Sequence, residues 1–408
     1  MLGLAIACVI SAVAWLYLLA AHGGFWLTDQ RLPAVPADQA DPAGMQPRRW
    51  PSVAAVVPAR NEADAIPGTV PALLTQEYPG EFRVFLVDDN SDDGTGALAA
   101  GLGEKAARDG GARLTVVPGK ARPDGWAGKV WAMAQGFAVA VVTSQVGEEP
   151  DYVLFTDADI AWAPTALRDL VACAEDGDRA MVSQMALLRA QTHWERVIVP
   201  AFVYFFAQLY PFRKVNDPKS RVAAAAGGCM LIRRGALEAA GGLEQVKGAL
   251  IDDVALGRLL KRHGNRIWLG LSAGVRSARP YPGLASLWHM IARSAYVQLR
   301  YNPLLLAGTI AGLLLLYAAP PAGLIGAVIA SAAGHGGAVT GIAGVAGLDG
   351  WVFMTLSYVP MLRFYRLSPL RAPGLPLIAV LYAAMTADSA RRHYAGRAVS
   401  WRGRAATL

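Results

Sequence analysis

Cysteine is scarce in this chain. Cys8, Cys173 and Cys229 are its 3 cysteines in 408 residues, and their wide spacing implies no disulfide framework. Neither they nor the 6 histidines form a Cys-x-x-Cys or His-x-x-x-His pair, so no zinc site is expected. The Gly-x-Gly-x-x-Gly fingerprint is also missing, which argues against a dinucleotide cofactor. Charged residues make up only 17%, and no recognised nucleic-acid motif accompanies the net charge of +7. The excess of 38 Lys+Arg over 31 Asp+Glu gathers beside apolar runs, at Arg48-Arg49, Arg363 to Arg371 and Arg391 to Arg404. Such flanks suit the anionic cytoplasmic leaflet of a membrane better than nucleic acid.

Apolar residues are plentiful instead, at 54%, a proportion that puts part of the chain in lipid. Leu2 to Ala20 is a continuous apolar run of about the ~20 residues that cross a bilayer. A signal peptide would need a basic start and a clean small-residue cleavage site. The run has neither and leads into His22, Gly23, Gly24, Phe25 and Trp26, so an uncleaved anchor over 1–21 is expected. Residues 22–50 are rich in Pro, Asp and Arg and read as a linker. Past Pro303, the stretches 304–333 and 338–362 are apolar enough to span, the first interrupted by Pro320-Pro321. The stretch 375–385 offers only 11 apolar residues before Asp388, short of a crossing. Three or four membrane segments are therefore expected in all, with 303–390 the C-terminal membrane region and 391–408 a basic tail. Residues 194–212 and 284–306 mix aromatic and apolar residues, which suits helices at the membrane interface; a core helix is the alternative for the first.

Between these runs, strands and helices alternate as in an α/β domain. Strand 53–57 ends at Pro58, Arg60, Asn61 and Glu62, and helix 65–77 follows. Strand 84–87 runs into Asp88 and Asp89. Helix 96–108 comes next, then strand 113–117, then helix 129–142 opened by Lys129 after a Gly-rich loop. Strand 152–155 runs into Asp157-Ala158-Asp159, and Asp252-Asp253 opens helix 254–263. In a parallel sheet, ligands sit beyond the carboxyl ends of the strands. Carboxylates presented there suit a divalent cation with oxygen ligands, and such a cation suits a diphosphate. The residues thus point to a sugar-nucleotide enzyme at a membrane. Blander readings exist for each motif: Asp92 and Asp93 make good turn chemistry, Asp-x-Asp could be a surface turn, and Lys129 a solvated lysine. Asp252 could cap its helix, and Gly227-Gly228 could serve tight packing.

Jointly and in order, VPARNEADAI, VDDNSDDGT, GWAGKVWAMAQG, TDADI, GGCMLIRR and ALIDDVALGRLLKRHG resemble the family-2 glycosyltransferases, inverting enzymes of the GT-A type, from roughly Pro51 to Tyr301. More narrowly, they look like the hopene-associated glycosyltransferases of bacteria. The resemblance implies a Rossmann-like GT-A domain over 51–302 that takes a nucleotide-sugar donor. It makes Pro58, Arg60, Asn61 and Glu62 the loop around the nucleotide, with Asp88 and Asp89 near uracil and ribose. Lys129 would meet a phosphate or the sugar, and Gly227 and Gly228 would line the sugar site. Asp159 would ligate Mg²⁺ or Mn²⁺, with Asp157 on the metal or the ribose. Asp253, paired with Asp252, would be the general base. The Gln-x-x-Arg-Trp motif of processive relatives is absent from HMIARSAYVQLRY, which argues against polymer synthesis and leaves Arg293 or Arg300 as the diphosphate partner.

The expected activity is transfer of a sugar, from a UDP-linked donor, to a hydroxyl of a hopanoid-related lipid. The setting would be the bacterial inner membrane, the catalytic domain facing the cytoplasm. A polyprenyl phosphate, glycerolipid or sphingolipid-like acceptor is the alternative, as is a non-catalytic nucleotide-sugar-binding scaffold. A transporter is disfavoured because the polar residues lie outside the apolar spans.

Overall fold

A computed structural model describes residues 1–32, 49–143, 149–396, 400–401 and 404–405. Most of the expected linker, Arg48 included, and the tail residues Arg397 and Arg402 lie outside the described residues. The chain divides into two compact units. One comprises Met1–Asp29, Ala190–Arg213 and Tyr281–Val399; the other comprises Gln30–Arg189, Lys214–Pro280 and Ser400–Leu408. The segments 190–213 and 281–302 of the expected 51–302 domain thus fall in the first unit.

The second unit is built on an 8-stranded sheet. Its strands are β1 Val53–Ala59, β2 Phe82–Asp88, β3 Arg113–Pro118, β4 Tyr152–Phe155, β5 Ile160–Trp162, β6 Met181–Leu187, β7 Met230–Arg233 and β8 Ile267–Ser277. They lie in the order β3-β2-β1-β4-β7-β6-β8-β5. β3, β2, β1 and β4 run parallel, and β7 pairs antiparallel with β4 and β6. β8 lies parallel to β6 and antiparallel to β5. Every residue of β1 is buried, as expected of a strand flanked on both edges and covered on both faces. That is why an apolar run without alternation marked it in the sequence. Helix Ile66–Leu74 is shorter than the expected 65–77: Pro71 stands inside it, and the Thr75 amide closes the last turn on the Pro71 carbonyl. Register then aligns the strand ends, with Ala59 beside Asp88 and Val56 beside Phe155. The loops after β1, β2 and β4 therefore leave from one edge.

The first unit is helical. Among the described residues, four helices are long and apolar enough to cross a membrane: Leu2–Ala21, Pro303–Ala332, Ala338–Phe364 and Pro369–Tyr394. They expose apolar side chains such as Val13, Ile329, Val345 and Leu377. The fourth corrects the sequence reading of 375–385 as too short. The helix continues through Asp388 to Tyr394, because the Asp388 carboxylate is neutralised by Arg391 and Arg392 at 2.6 and 2.7 Å and accepts the Trp288 indole N–H at 2.8 Å. Trp288 comes from helix Leu284–Gln298, which packs along the fourth helix. Helix His193–Leu209 buries Ile198, Val199, Val203 and Tyr204 completely, so that face is core of the helical unit.

The Pro320-Pro321 pair explains another feature. Neither proline has an amide N–H, so the Leu316 carbonyl loses its helical donor. A short π-helical stretch, Leu314–Ala318, accommodates the break, and the Ser11 hydroxyl (3.1 Å) and the Trp15 indole N–H (2.9 Å) donate to that carbonyl instead. The Cys8 thiol donates to the Ala319 carbonyl at 3.3 Å. A helix shielded from water must satisfy its backbone from neighbouring side chains, and the N-terminal helix supplies them. Replacing both donors, Ser11→Ala with Trp15→Phe, is expected to cost about 1–3 kcal/mol by leaving a buried carbonyl without a partner. Thermal unfolding in detergent should show the double variant below either single one.

Candidate active site

The site is assembled at the carboxyl ends of β1, β2 and β4. The loops after β1 and β2 are stitched together: the Asn61 amide donates to Ser91 Oγ (3.0 Å), the Glu62 amide to Thr95 Oγ1 (2.9 Å) and the Ala63 amide to Asp93 Oδ2 (2.9 Å). Asn61 and Asn90 adopt left-handed backbone, which Asn tolerates better than most residues. The Arg60 guanidinium donates to the Asp89 and Asn90 carbonyls. Asp88 accepts the Ser91 amide at 3.0 Å and packs against Gly96, where a Cβ would come within 2.3 Å of its Oδ2. Asp89 is fully buried. Asp93 also accepts the Thr95 amide and hydroxyl, so its turn-forming role is realised.

Beyond β4, Thr156 donates to the Gly228 carbonyl (2.8 Å) and fixes the start of the Asp157-Ala158-Asp159 loop against the glycine run. The Thr69 hydroxyl holds the Ala158 carbonyl at 2.6 Å. Asp157 and Asp159 then point to different cations. Asp157 pairs with the Lys129 ammonium at 2.8 Å, and Asp159 with the Arg279 guanidinium at 2.6 Å. Lys129 also lies 3.2 Å from Asp252 Oδ2, an ion pair without hydrogen-bond alignment. With 17% of its side chain exposed, Lys129 is not a solvated lysine. Burial by itself would lower its pKa, but Asp157, Asp252 and Asp253 outweigh that and hold it well above the ordinary lysine range.

Asp252 and Asp253 begin helix Asp252–Arg262. Asp252 is not the N-cap: Ile251 holds that position, without a side-chain cap hydrogen bond. The Asp253 carboxylate accepts the Gly227 amide at 2.8 Å and the Val254 amide at 2.7 Å. Gly227 has no side chain where a Cβ would sit 3.1 Å from Lys129 Nζ and 3.4 Å from Asp253 Oδ2. The run leading to it is anchored by Lys261, whose ammonium donates to the carbonyls of Val215 (2.6 Å) and Val222 (2.7 Å). Burial, reinforced by the charge of Asp252, pushes the Asp253 carboxyl up to about 7. Burial also raises Asp157, with Lys129 acting against it. The result is a carboxylate that titrates near neutrality beside a fixed ammonium, a pairing suited to proton transfer at neutral pH.

The family described as glycosyltransferase like family 2 matches residues 51–295, more than half of the chain. The chain belongs to this family. Among solved structures, a mannosyltransferase from Pyrobaculum calidifontis, in complex with GDP-Man and Mn²⁺, is similar at 20% identity and a TM-score of 0.53, over 94% of this chain and 99% of that one. That likeness shows the fold of the sheet unit: a GT-A type mixed α/β sheet. Mannosyl-3-phosphoglycerate synthase from Rubrobacter xylanophilus aligns at 19% identity and a TM-score of 0.35, over 62% of this chain and 75% of that one. Comparison with curated protein sequences gives no match.

Within this family-2 glycosyltransferase, Pro58, Arg60, Asn61, Glu62, Asp88, Asp89, Lys129, Asp157, Asp159, Gly227, Gly228, Asp252 and Asp253 all belong to the sheet unit. Arg293 and Arg300 belong to the helical unit, the first within helix Leu284–Gln298, the second in left-handed backbone just beyond it. Arg279, which the sequence reading did not single out, is in the sheet unit and touches both Glu62 and Asp159. Only β8 places it there, and that strand was not legible as part of a nucleotide-binding half.

Two outcomes follow from the charges. The folded Asp253 carboxyl holds its proton to about pH 7, above its unfolded range, so its ionisation lowers stability as pH rises from the ordinary carboxylate range through about 7. Asp253→Asn should therefore melt higher than the parent at pH 8, with the difference vanishing near pH 4. Lys129→Met strands the largely buried Asp252 and should cost ~3 kcal/mol. Adding Asp252→Asn should return only part of it in a double-mutant cycle, because Asp157, 2.8 Å from the ammonium, loses its partner as well.

Proposed function

We propose that the protein is a membrane-bound inverting glycosyltransferase that moves a sugar from a nucleoside-diphosphate donor to a lipid hydroxyl. The observation that carries the reading is the single Lys129 ammonium between Asp157, on the Asp-x-Asp loop, and Asp252, beside Asp253. That contact brings the donor-side acids and the base-side acids into one side chain's reach. Four candidate membrane spans support an acceptor that resides in lipid. A hopanoid-related acceptor and a UDP-linked donor rest on the motif resemblance, with polyprenyl phosphate, glycerolipid and sphingolipid-like acceptors as the nearest alternatives. The basic flanks support an inner-membrane setting with the site on the cytoplasmic side.

In this reading, Asp253 takes the proton of the acceptor hydroxyl as its oxygen attacks the anomeric carbon. The new carbon–oxygen bond forms as the bond to the diphosphate breaks on the opposite face, and the leaving diphosphate carries away the electron pair. The Gly227 amide aims Asp253 and, lacking a side chain, leaves room for the sugar. Lys129 stays charged throughout and opposes the negative charge that grows on the leaving group. The donor set is compatible with Mg²⁺ or Mn²⁺: Asp157 and Asp159 offer hard carboxylate oxygens from one loop. No group of three or more His, Cys, Asp or Glu suited to a metal occurs among the described residues, so diphosphate oxygens and water would complete the shell. A bound cation would neutralise charge on the diphosphate.

The test is transfer from labelled UDP- and GDP-sugars into total bacterial lipid, hopanoids included, by membranes carrying the protein. Labelled lipid that requires a divalent cation and disappears in Asp253→Asn and Asp159→Ala is the expected result. Nucleotide binding without labelled lipid, unchanged in both variants, would replace this reading with that of a non-catalytic scaffold.

A further inference from the structure

Arg279 stands two residues past the end of β8, whose pairing with β5 sets Ser277 opposite Ile160. The Ala278 amide donates to the Asp159 carbonyl at 2.8 Å, so the backbone that carries Arg279 is tied to the backbone that carries Asp159. From there the guanidinium forks: Nε lies 2.6 Å from Asp159 Oδ2 and Nη2 lies 2.9 Å from Glu62 Oε1. The two acids are nearly closed to water, with 10% and 9% of their side chains exposed, against 33% for Arg279. A planar, permanently charged fork is the group best matched to two carboxylates at once.

The same contact sets a conflict. A hard cation on Asp159 needs the carboxylate whose Oδ2 the guanidinium now engages, and two positive charges sharing one carboxylate repel strongly in a poorly solvated site. Resting on the glycosyl-transfer reading above, we propose that Arg279 is a positioning residue that competes with the divalent cation for Asp159, so that the cation is held only together with the donor's diphosphate. Glu62 keeps the guanidinium from leaving when Asp159 is taken over. The diphosphate then supplies the negative charge that lets the cation and the guanidinium coexist. The cation and the donor thereby enter as one complex, and the empty enzyme holds no cation that would polarise water.

The experiment is calorimetric titration of the full-length protein in detergent with Mn²⁺, with and without UDP or GDP. The parent should bind Mn²⁺ weakly alone and about tenfold or more tightly with nucleotide, a coupling of ordinary size. Arg279→Gln should bind Mn²⁺ alone about tenfold more tightly than the parent and lose most of the nucleotide requirement. Arg279→Lys, which keeps the charge but cannot bridge both acids, should fall between. Glu62→Gln, which leaves the guanidinium to Asp159, should show no tightening. A purely structural role would weaken Mn²⁺ binding in every variant, so that result, or unchanged affinity in both Arg279 variants, overturns the proposal. Unchanged affinity with lipid labelling intact would sink Arg279's role alone; tightened affinity with labelling absent would sink the reaction reading alone.

Discussion

Acidic side chains crowd one end of a sheet, and the molecule is arranged around the cations that make this tolerable. Asp157, Asp159, Asp252, Asp253 and Glu62 would repel one another strongly in a site with little water. Lys129 binds two of them and Arg279 another two, while Asp253 is held by the Gly227 and Val254 amides beside the same Lys129 ammonium. Burial beside the like charge of Asp252 raises the Asp253 carboxyl toward neutrality, and burial raises Asp157 too, although Lys129 acts against it. The fold supplies the precision: strand register fixes Asp157 and Asp159, a helix start fixes Asp252 and Asp253, and the end of β8 delivers Arg279.

A different constraint governs the helical unit. Apolar helices that expose Val and Leu side chains outward must satisfy every backbone polar group inward. The proline pair at 320–321 breaks that rule locally, and Ser11 and Trp15 repair it from another helix. Asp388 is handled by the same logic, with two arginines one turn on and an indole from a neighbouring helix. Such polar contacts specify which helix lies beside which where apolar packing alone is permissive.

Much of the sheet unit could be read from the chain. β4 coincides with the expected 152–155, and β1 and β2 extend the expected runs by only a few residues, because strands buried on both faces are continuous apolar runs whatever their partners. The carboxylates at their ends stood out for the same reason: charge directly after a buried strand is conspicuous. The other half of the sheet was not legible. β5 is 3 residues long, and β7 follows a run of alanine and glycine with no periodicity of its own. The last membrane helix was read too short because Asp388 looked like an end, and part of what neutralises it comes from Trp288, far away in sequence.

The sequence by itself determined which residues carry charge, where the apolar runs lie, and to which family the motifs belong, since local patterns report local burial and turn chemistry. Only the tertiary structure decided that Lys129 faces Asp157 and Asp252, that Asp252 is not the N-cap of its helix, and that Arg279 answers Asp159 and Glu62. Those pairings depend on sheet register and side-chain reach across distant segments, and register between strands leaves no periodic trace in either strand alone.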